Sequence, residues 1–205
     1  MPSTIRKTVD QAATDRVSIR KYTNEAVEQS ELSEILTLAG RAPSPFNVQP
    51  WRFHVVTNHA LKERLQEAGY GQPQIGASWA TVVLVNDVED ALANIDEAIN
   101  PAVGAEVGAD IKGRILGYFG GLSAEERTRW GHSMSYIALG YLLLLLEGRD
   151  LGSSPMTGFV EAKVKEVLEL PDRVTVAALI AIGNKNEAGL PQHRSPISRT
   201  IVFHD

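Results

Sequence analysis

The chain has 205 residues, of which 43% are hydrophobic and 22% charged. That is ordinary composition for a single folded domain with a sizeable core, here expected to span residues 1–205. A formal net charge of −5 argues against nucleic acid as the main partner, because a phosphate backbone calls for concentrated basic surface. The absence of cysteine excludes disulfides, thiolate catalysis and cysteine-ligated metal centres, and fits a reducing cytoplasm.

Residues 1–15 are polar and lack the apolar stretch of a signal peptide. Next comes Arg16-Val17-Ser18-Ile19-Arg20. Whether extended or helical, it brings two guanidiniums to one side with a hydroxyl between them. Forked donors and a hydroxyl suit a phosphate. Taken alone, the segment reads sooner as a solvated basic turn.

Ser30 is the expected N-cap of a helix running to about residue 42, where Pro43 and Pro45 stop it. Residues 42–51 (APSPFNVQPW) form a stiff proline-rich turn. Asn47 and Gln49 there either satisfy backbone groups or face a flat heteroaromatic ligand. Residues 52–57 read as a strand, Asn58 as the cap of a short helix, and residues 80–86 (ATVVLVN) as a central strand. Residues 88–118 are helical in tendency but broken by Pro101 and several glycines.

Ser123 and Glu126 make a capping box that opens a long helix ending at Gly148. Its run 137–146 is too short to span a bilayer, so it predicts a core helix or a subunit interface. Residues 152–159 (GSSPMTGF) read as a loop in which Gly158 lets backbone N–H groups approach a ligand and Thr157 is a candidate helix cap. An amphipathic helix is expected over 160–170, a buried strand over 175–182 and a last short strand over 199–203. This order predicts an α+β layered domain in which helix outweighs strand.

The chemistry is narrowed mainly by what is missing. No glycine-rich phosphate loop, nucleophile elbow or paired histidines occur. No side chain stands out as a catalytic acid or base, and no metal site is expected. An enzyme built this way would leave the reaction to a bound cofactor.

Taken together, RVSIRKY (16–22), APSPFNVQPWRF (42–53), YGQPQ (70–74), GSSPMTGF (152–159) and Arg194 resemble the nitroreductase family of FMN-dependent oxidoreductases. The resemblance implies an α+β fold with a central, mostly antiparallel sheet flanked by helices, in an intertwined homodimer. It implies that Arg16, Val17, Ser18, Arg20, Gln192 and Arg194 hold the FMN phosphate and ribityl chain. Gln74 would meet the ribityl or pyrimidine edge, and Pro155, Met156, Thr157 and Gly158 would lie along the isoalloxazine. Pro43, Ser44, Pro45 and Asn47 would reach the flavin of the other subunit. Two departures stand out: Pro45 replaces a small residue and should hold Ser44 extended, and Gln192 stands where some members carry lysine.

The implied activity is hydride transfer from NADH or NADPH through flavin N5 to a nitroaromatic or quinone acceptor, in a ping-pong cycle. Phe46, Tyr118, Phe119 and Trp130 either wall an acceptor pocket or pack in the core. The same flavin would also serve enone reduction, dehalogenation or flavin fragmentation, or simply be carried with little turnover. A helical dimerisation module with an incidental basic turn is the reading without flavin. No nucleic acid or membrane partner is expected.

Overall fold

A computed structural model describes residues 6–204; residues 1–5 of the polar opening stretch and Asp205 lie outside it. Thr8 and Gln11 exchange capping bonds at the start of α1 (Val9–Asp15), a helix the sequence did not announce because only Ala12 is buried. Residues 16–22 then run extended. α2 (Gln29–Ala39) begins before the expected cap: Glu28 is its N-cap, and Leu32 N–H already bonds the Glu28 carbonyl at 3.1 Å. It ends three residues earlier than predicted, because Pro43 disfavours helical geometry at Ala42 and the chain closes in tighter turns at Arg41 and Ala42.

β1 (Trp51–Val56) follows a one-turn 3-10 helix at Pro45–Asn47. Asn58 caps α3 (His59–Ala68) as expected, accepting from Leu61 N–H at 3.1 Å. α4 (Pro73–Ala77) leads into the fully buried β2 (Ala80–Asn86). Asp87 caps α5 (Val88–Ala93), and two 3-10 turns at Ile95–Ala98 and Pro101–Val103 precede α6 (Ala105–Gly120). The Ser123–Glu126 capping box forms, both reciprocal bonds included, and opens α7 (Ala124–Gly148).

Residues predicted as a loop after α7 are in fact β3 (Leu151–Met156). Glycine, serines and Pro155 hide the strand from propensity, yet it occupies a sheet edge where proline is tolerated. α8 (Glu161–Val167) is shorter than the 160–170 expected, since Glu169 turns left-handed at φ 52°. Its N-cap is Val160, so Thr157 is not the cap. β4 (Thr175–Asn184) extends two residues beyond its prediction. The strand expected over 199–203 is absent: after a 3-10 turn at Ile197–Arg199 the chain is irregular and Phe203 is 85% exposed. Its β-branched residues find no strand edge to pair with among the described residues.

The sheet order is β1-β2-β4-β3, antiparallel throughout. Helices cover both faces, which explains the unbroken apolar run of β2. Val82 and Leu84 face α2 and α7 with Ala178, Ile180 and Ile182 of β4. Val83 and Val85 face the opposite way, into a cluster with Leu65, Ile75, Val164 and Leu179. A third cluster joins Val48 to α5 and α6.

Candidate cofactor site

The extended segment 16–22 lies along the sheet edge. Ser18 forms a parallel bridge with Ser153, and Ile19 N–H donates to the Ser153 carbonyl at 2.9 Å. Ile19 is buried, so its neighbours Ser18 and Arg20 alternate away from it. Tyr22 rivets the far end, its hydroxyl donating to the Ile19 carbonyl at 2.6 Å and the Ala181 carbonyl at 3.2 Å. Burial, followed by the nearby Glu187 carboxylate, pushes the Tyr22 phenol above its ordinary value, with Arg20 opposing.

A cleft of about 190 Å³ opens beside this segment, lined by Arg16, Val17, Ser18 and Arg20 and by residues 190–194. It brings Gln192 and Arg194 from the far end of the chain to the N-terminal motif. Among the described residues, none of Arg16, Arg20 and Arg194 makes an ion pair. Three like charges around one small cleft favour an anion.

Gln192 has a more definite task than its sequence position suggested. Its Nε2 donates to the carbonyls of Ala13, Thr14 and Arg16 at 3.0, 2.8 and 2.8 Å. It therefore closes the C-terminal end of α1 and pins the Arg194 segment there. Glu187, unassigned from sequence, accepts from the backbone N–H groups of Arg20 and Lys21 at 2.6 and 3.2 Å.

β3 connects the cleft to a second cluster. Three residues beyond Ser153, roughly 10 Å along the strand, Met156 Sδ accepts from the buried Gln74 Nε2 at 3.2 Å. Gln72, also missed in sequence although it sits inside YGQPQ, donates to the Gly158 carbonyl at 2.9 Å. Pro155 is partly buried, and Thr157 and Gly158 are exposed. Met156, Gln74 and Gly158 are thus brought together, at the opposite end of the track from the arginines.

Pro43, Ser44, Pro45 and Asn47 line neither cluster. Ser44 is extended, as the following proline requires, and its Oγ accepts from Gln49 N–H at 3.0 Å. Asn47 Nδ2 donates to the Ala98 carbonyl at 2.8 Å and Gln49 Nε2 to the Asn47 carbonyl at 3.0 Å, so both amides satisfy backbone. The loop is strained: Phe46, Asn47 and Gln49 have φ of 58°, 58° and 49°. Phe119 is buried and stacks edge-on with Trp130 at 4.8 Å, which makes Phe119 a core residue and Trp130 a partly buried one packed against it. Phe46 and Tyr118 are exposed, with ring centroids 5.8 Å apart.

Among the described residues no group of His, Asp or Glu is arranged to hold a metal ion, and no helix is long and apolar enough to cross a membrane.

The model of the nitroreductase family matches residues 13–184. A Thermus thermophilus protein named NADH dehydrogenase is 44% identical over 192 residues, covering 94% of each chain. The solved structure of a Staphylococcus epidermidis protein described as an NAD(P)H:FMN oxidoreductase matches with a TM-score of 0.92 and 25% identity, covering 100% of this chain and 99% of its own. A nitroreductase from Exiguobacterium sibiricum, solved in complex with FMN, matches with a TM-score of 0.89 and 26% identity over 97% and 98% of the two chains. With these matches spanning the cleft, the β3 track and the sheet, the chain belongs to the nitroreductase family of NAD(P)H-dependent oxidoreductases.

Proposed function

We propose that this protein binds FMN and passes reducing equivalents from NADH or NADPH to a nitroaromatic or quinone-type acceptor. The observation that carries the reading is the continuous track from three arginines without acidic partners, along β3, to the Gln74–Met156–Gly158 cluster. Its chemistry fits FMN: cations at one end for a phosphate, hydroxyl and backbone groups between, and an amide with exposed backbone at the other end for the ring system. The chemistry supplied at the site would be FMN's two-electron exchange between a nicotinamide donor and an oxidised acceptor.

The residues divide the work. Arg16, Arg20 and Arg194 neutralise the phosphate, assisted by the Ser18 hydroxyl and the Val17 backbone. Gln192 and Glu187 hold the two arginine-bearing segments in register through backbone bonds. Gln74 orients the pyrimidine edge. Backbone N–H groups at Thr157 and Gly158 favour negative charge on the ring's polar edge. No side chain is assigned an obligatory proton transfer. Pro43, Ser44, Pro45 and Asn47, remote from the cleft in one chain, serve the site of a second copy, so the proposed unit is a homodimer with two sites. Donor and acceptor occupy the same exposed face in turn, a ping-pong order. The names of the Thermus and Staphylococcus proteins support the donor, and the Exiguobacterium complex supports the cofactor.

Titration of the purified protein with FMN, followed by anaerobic mixing with NADH or NADPH, tests this. Tight uptake and bleaching of the flavin band are expected, with reoxidation by a nitroaromatic or a quinone. A protein that takes up no FMN ends the reading, and one whose bound flavin neither donor bleaches is a carrier and not an oxidoreductase.

A further inference from the structure

α3 ends in a turn whose left-handed position is normally glycine, and glycine is not there. Gly69 is the C-cap with an ordinary φ of −91°, and Gly71 follows the turn at φ 73°. Between them Tyr70 takes the left-handed position at φ 57°. Gly71 N–H closes the turn onto the Gln66 carbonyl at 2.8 Å, the bond that defines this termination, in which the left-handed residue is usually glycine. A bulky L-residue adopts that conformation only against steric resistance.

Two other helices end on non-glycine residues in this conformation. Asp150 follows α7 at φ 59° and Glu169 follows α8 at φ 52°. Both are charged, and Asp150 binds Lys185 at 2.8 Å. Tyr70 instead holds an aromatic ring in solvent, 70% exposed, and its hydroxyl has no hydrogen-bond partner among the described residues. Neither burial nor hydrogen bonding compensates for the backbone at this position.

The turn that carries the ring is nonetheless held in a defined place. Gln72 Nε2 clamps the turn, donating to the Gly69 carbonyl at 3.0 Å and the Gly158 carbonyl at 2.9 Å. A Cβ built on Gly158 would lie 3.9 Å from Tyr70 Cδ2. The ring therefore stands beside the Met156–Gly158 segment, at the end of the track away from the arginines. A strained backbone that presents an unused aromatic face at a site points to function.

We propose that Tyr70 is a stacking platform for the substrate, a specificity-determining residue that receives a flat, electron-poor ring at the redox end of the site. The proposal rests on the FMN reading given above. An electron-rich phenol face matches a nitroaromatic, a quinone or the oxidised nicotinamide in offset stacking, and the cationic charge of the last adds attraction to the same face.

Tyr70→Gly and Tyr70→Phe test it. The glycine variant relieves the turn, so it should melt about 2–4 °C higher in the absence of any ligand. Its FMN affinity should match that of the unaltered protein. Titrations of the oxidised holoprotein with 4-nitrobenzoate and with NAD+, neither of which reacts with oxidised flavin, should show affinity lowered about threefold to tenfold for at least one of them. Which of the two weakens says whether acceptor, donor or both use the platform. Tyr70→Phe should retain the affinity. A glycine variant that melts lower, or that binds both probes as tightly as the unaltered protein, overturns the proposal while leaving the FMN reading intact. Failure of the unaltered protein to take up FMN overturns both.

Discussion

Several arginines elsewhere in this chain are matched to carboxylates. The buried Arg149 meets the exposed Glu34 at 3.0 Å, Arg173 grips both oxygens of Asp87 at 3.1 and 2.9 Å, and Arg52 meets Asp90 at 2.6 Å. What sets Arg16, Arg20 and Arg194 apart is their convergence on one cleft without an ion pair among the described residues, which makes that cleft the candidate anion site. Replacing Arg20 by alanine should weaken FMN binding more than tenfold, on the order of 1.5–3 kcal/mol for a lost charge-assisted contact. Quenching of flavin fluorescence reads this, and an unchanged affinity would refute the phosphate assignment. The histidines contribute differently. Burial holds His132 below the ordinary 6.5 against the pull of Glu161, and burial followed by Arg52 does the same to His54. A base depressed in the folded state takes up its proton first in the unfolded chain, so stability is complete above about pH 6.5 and declines as pH falls below it. Urea midpoints at pH 7.5 and 5.5 should show the loss, and His132→Gln should flatten the slope.

At the scale of elements, the proposed anion site depends on how segment 16–22 docks onto β3 and β4. Gly152 and Gly183 face each other across that ladder. A Cβ on Gly152 would lie 2.9 Å from Ile19 Cγ2, and one on Gly183 2.9 Å from Tyr22 Cδ1. Both strands give up side chains so that the N-terminal segment can pack directly on them. Gly152→Val should therefore displace Ser18 and Arg20 and weaken FMN binding at least tenfold, although residue 152 does not line the cleft. Binding equal to that of the unaltered protein would show that the segment docks independently of this face. Little of this geometry was legible: the glycines, serines and proline of β3 read as a loop, because strand propensity reflects side-chain packing and here the packing comes from the other segment. The Ser123–Glu126 and Asn58 caps were legible because capping is local.

For the whole molecule, the helices on both sides of the sheet leave an apolar surface uncovered along α1 and α7. Ile137 and Tyr141 are exposed on α7, and a groove of about 500 Å³ runs between α1 and α7, lined by Val9, Leu38, Tyr141 and Leu144 among others. Monomers rarely leave such a stripe bare. A second copy covers it in the proposed homodimer and would bring the 43–47 loop to the neighbouring cleft. Tyr141→Asp should convert the dimer to monomer in sedimentation and lower FMN affinity, although the three arginines remain in place. A monomer that binds FMN as well as the unaltered protein would show that one chain completes the site.

The amino-acid sequence by itself determined the layered α+β class, the main caps and core strands, and the segments proposed to carry the site, because composition, periodicity and capping act over a few residues. It also named the arginines, through motifs whose charge suits an anion. Tertiary structure alone decided that Arg194 joins Arg16 and Arg20, since 174 positions separate Arg20 from Arg194 and only the folded cleft brings them together. It also assigned Gln192 to the end of α1, made an edge strand of 151–156, and left 199–203 without a partner strand. These outcomes depend on what lies opposite each residue once the sheet has formed, and chain order does not contain that.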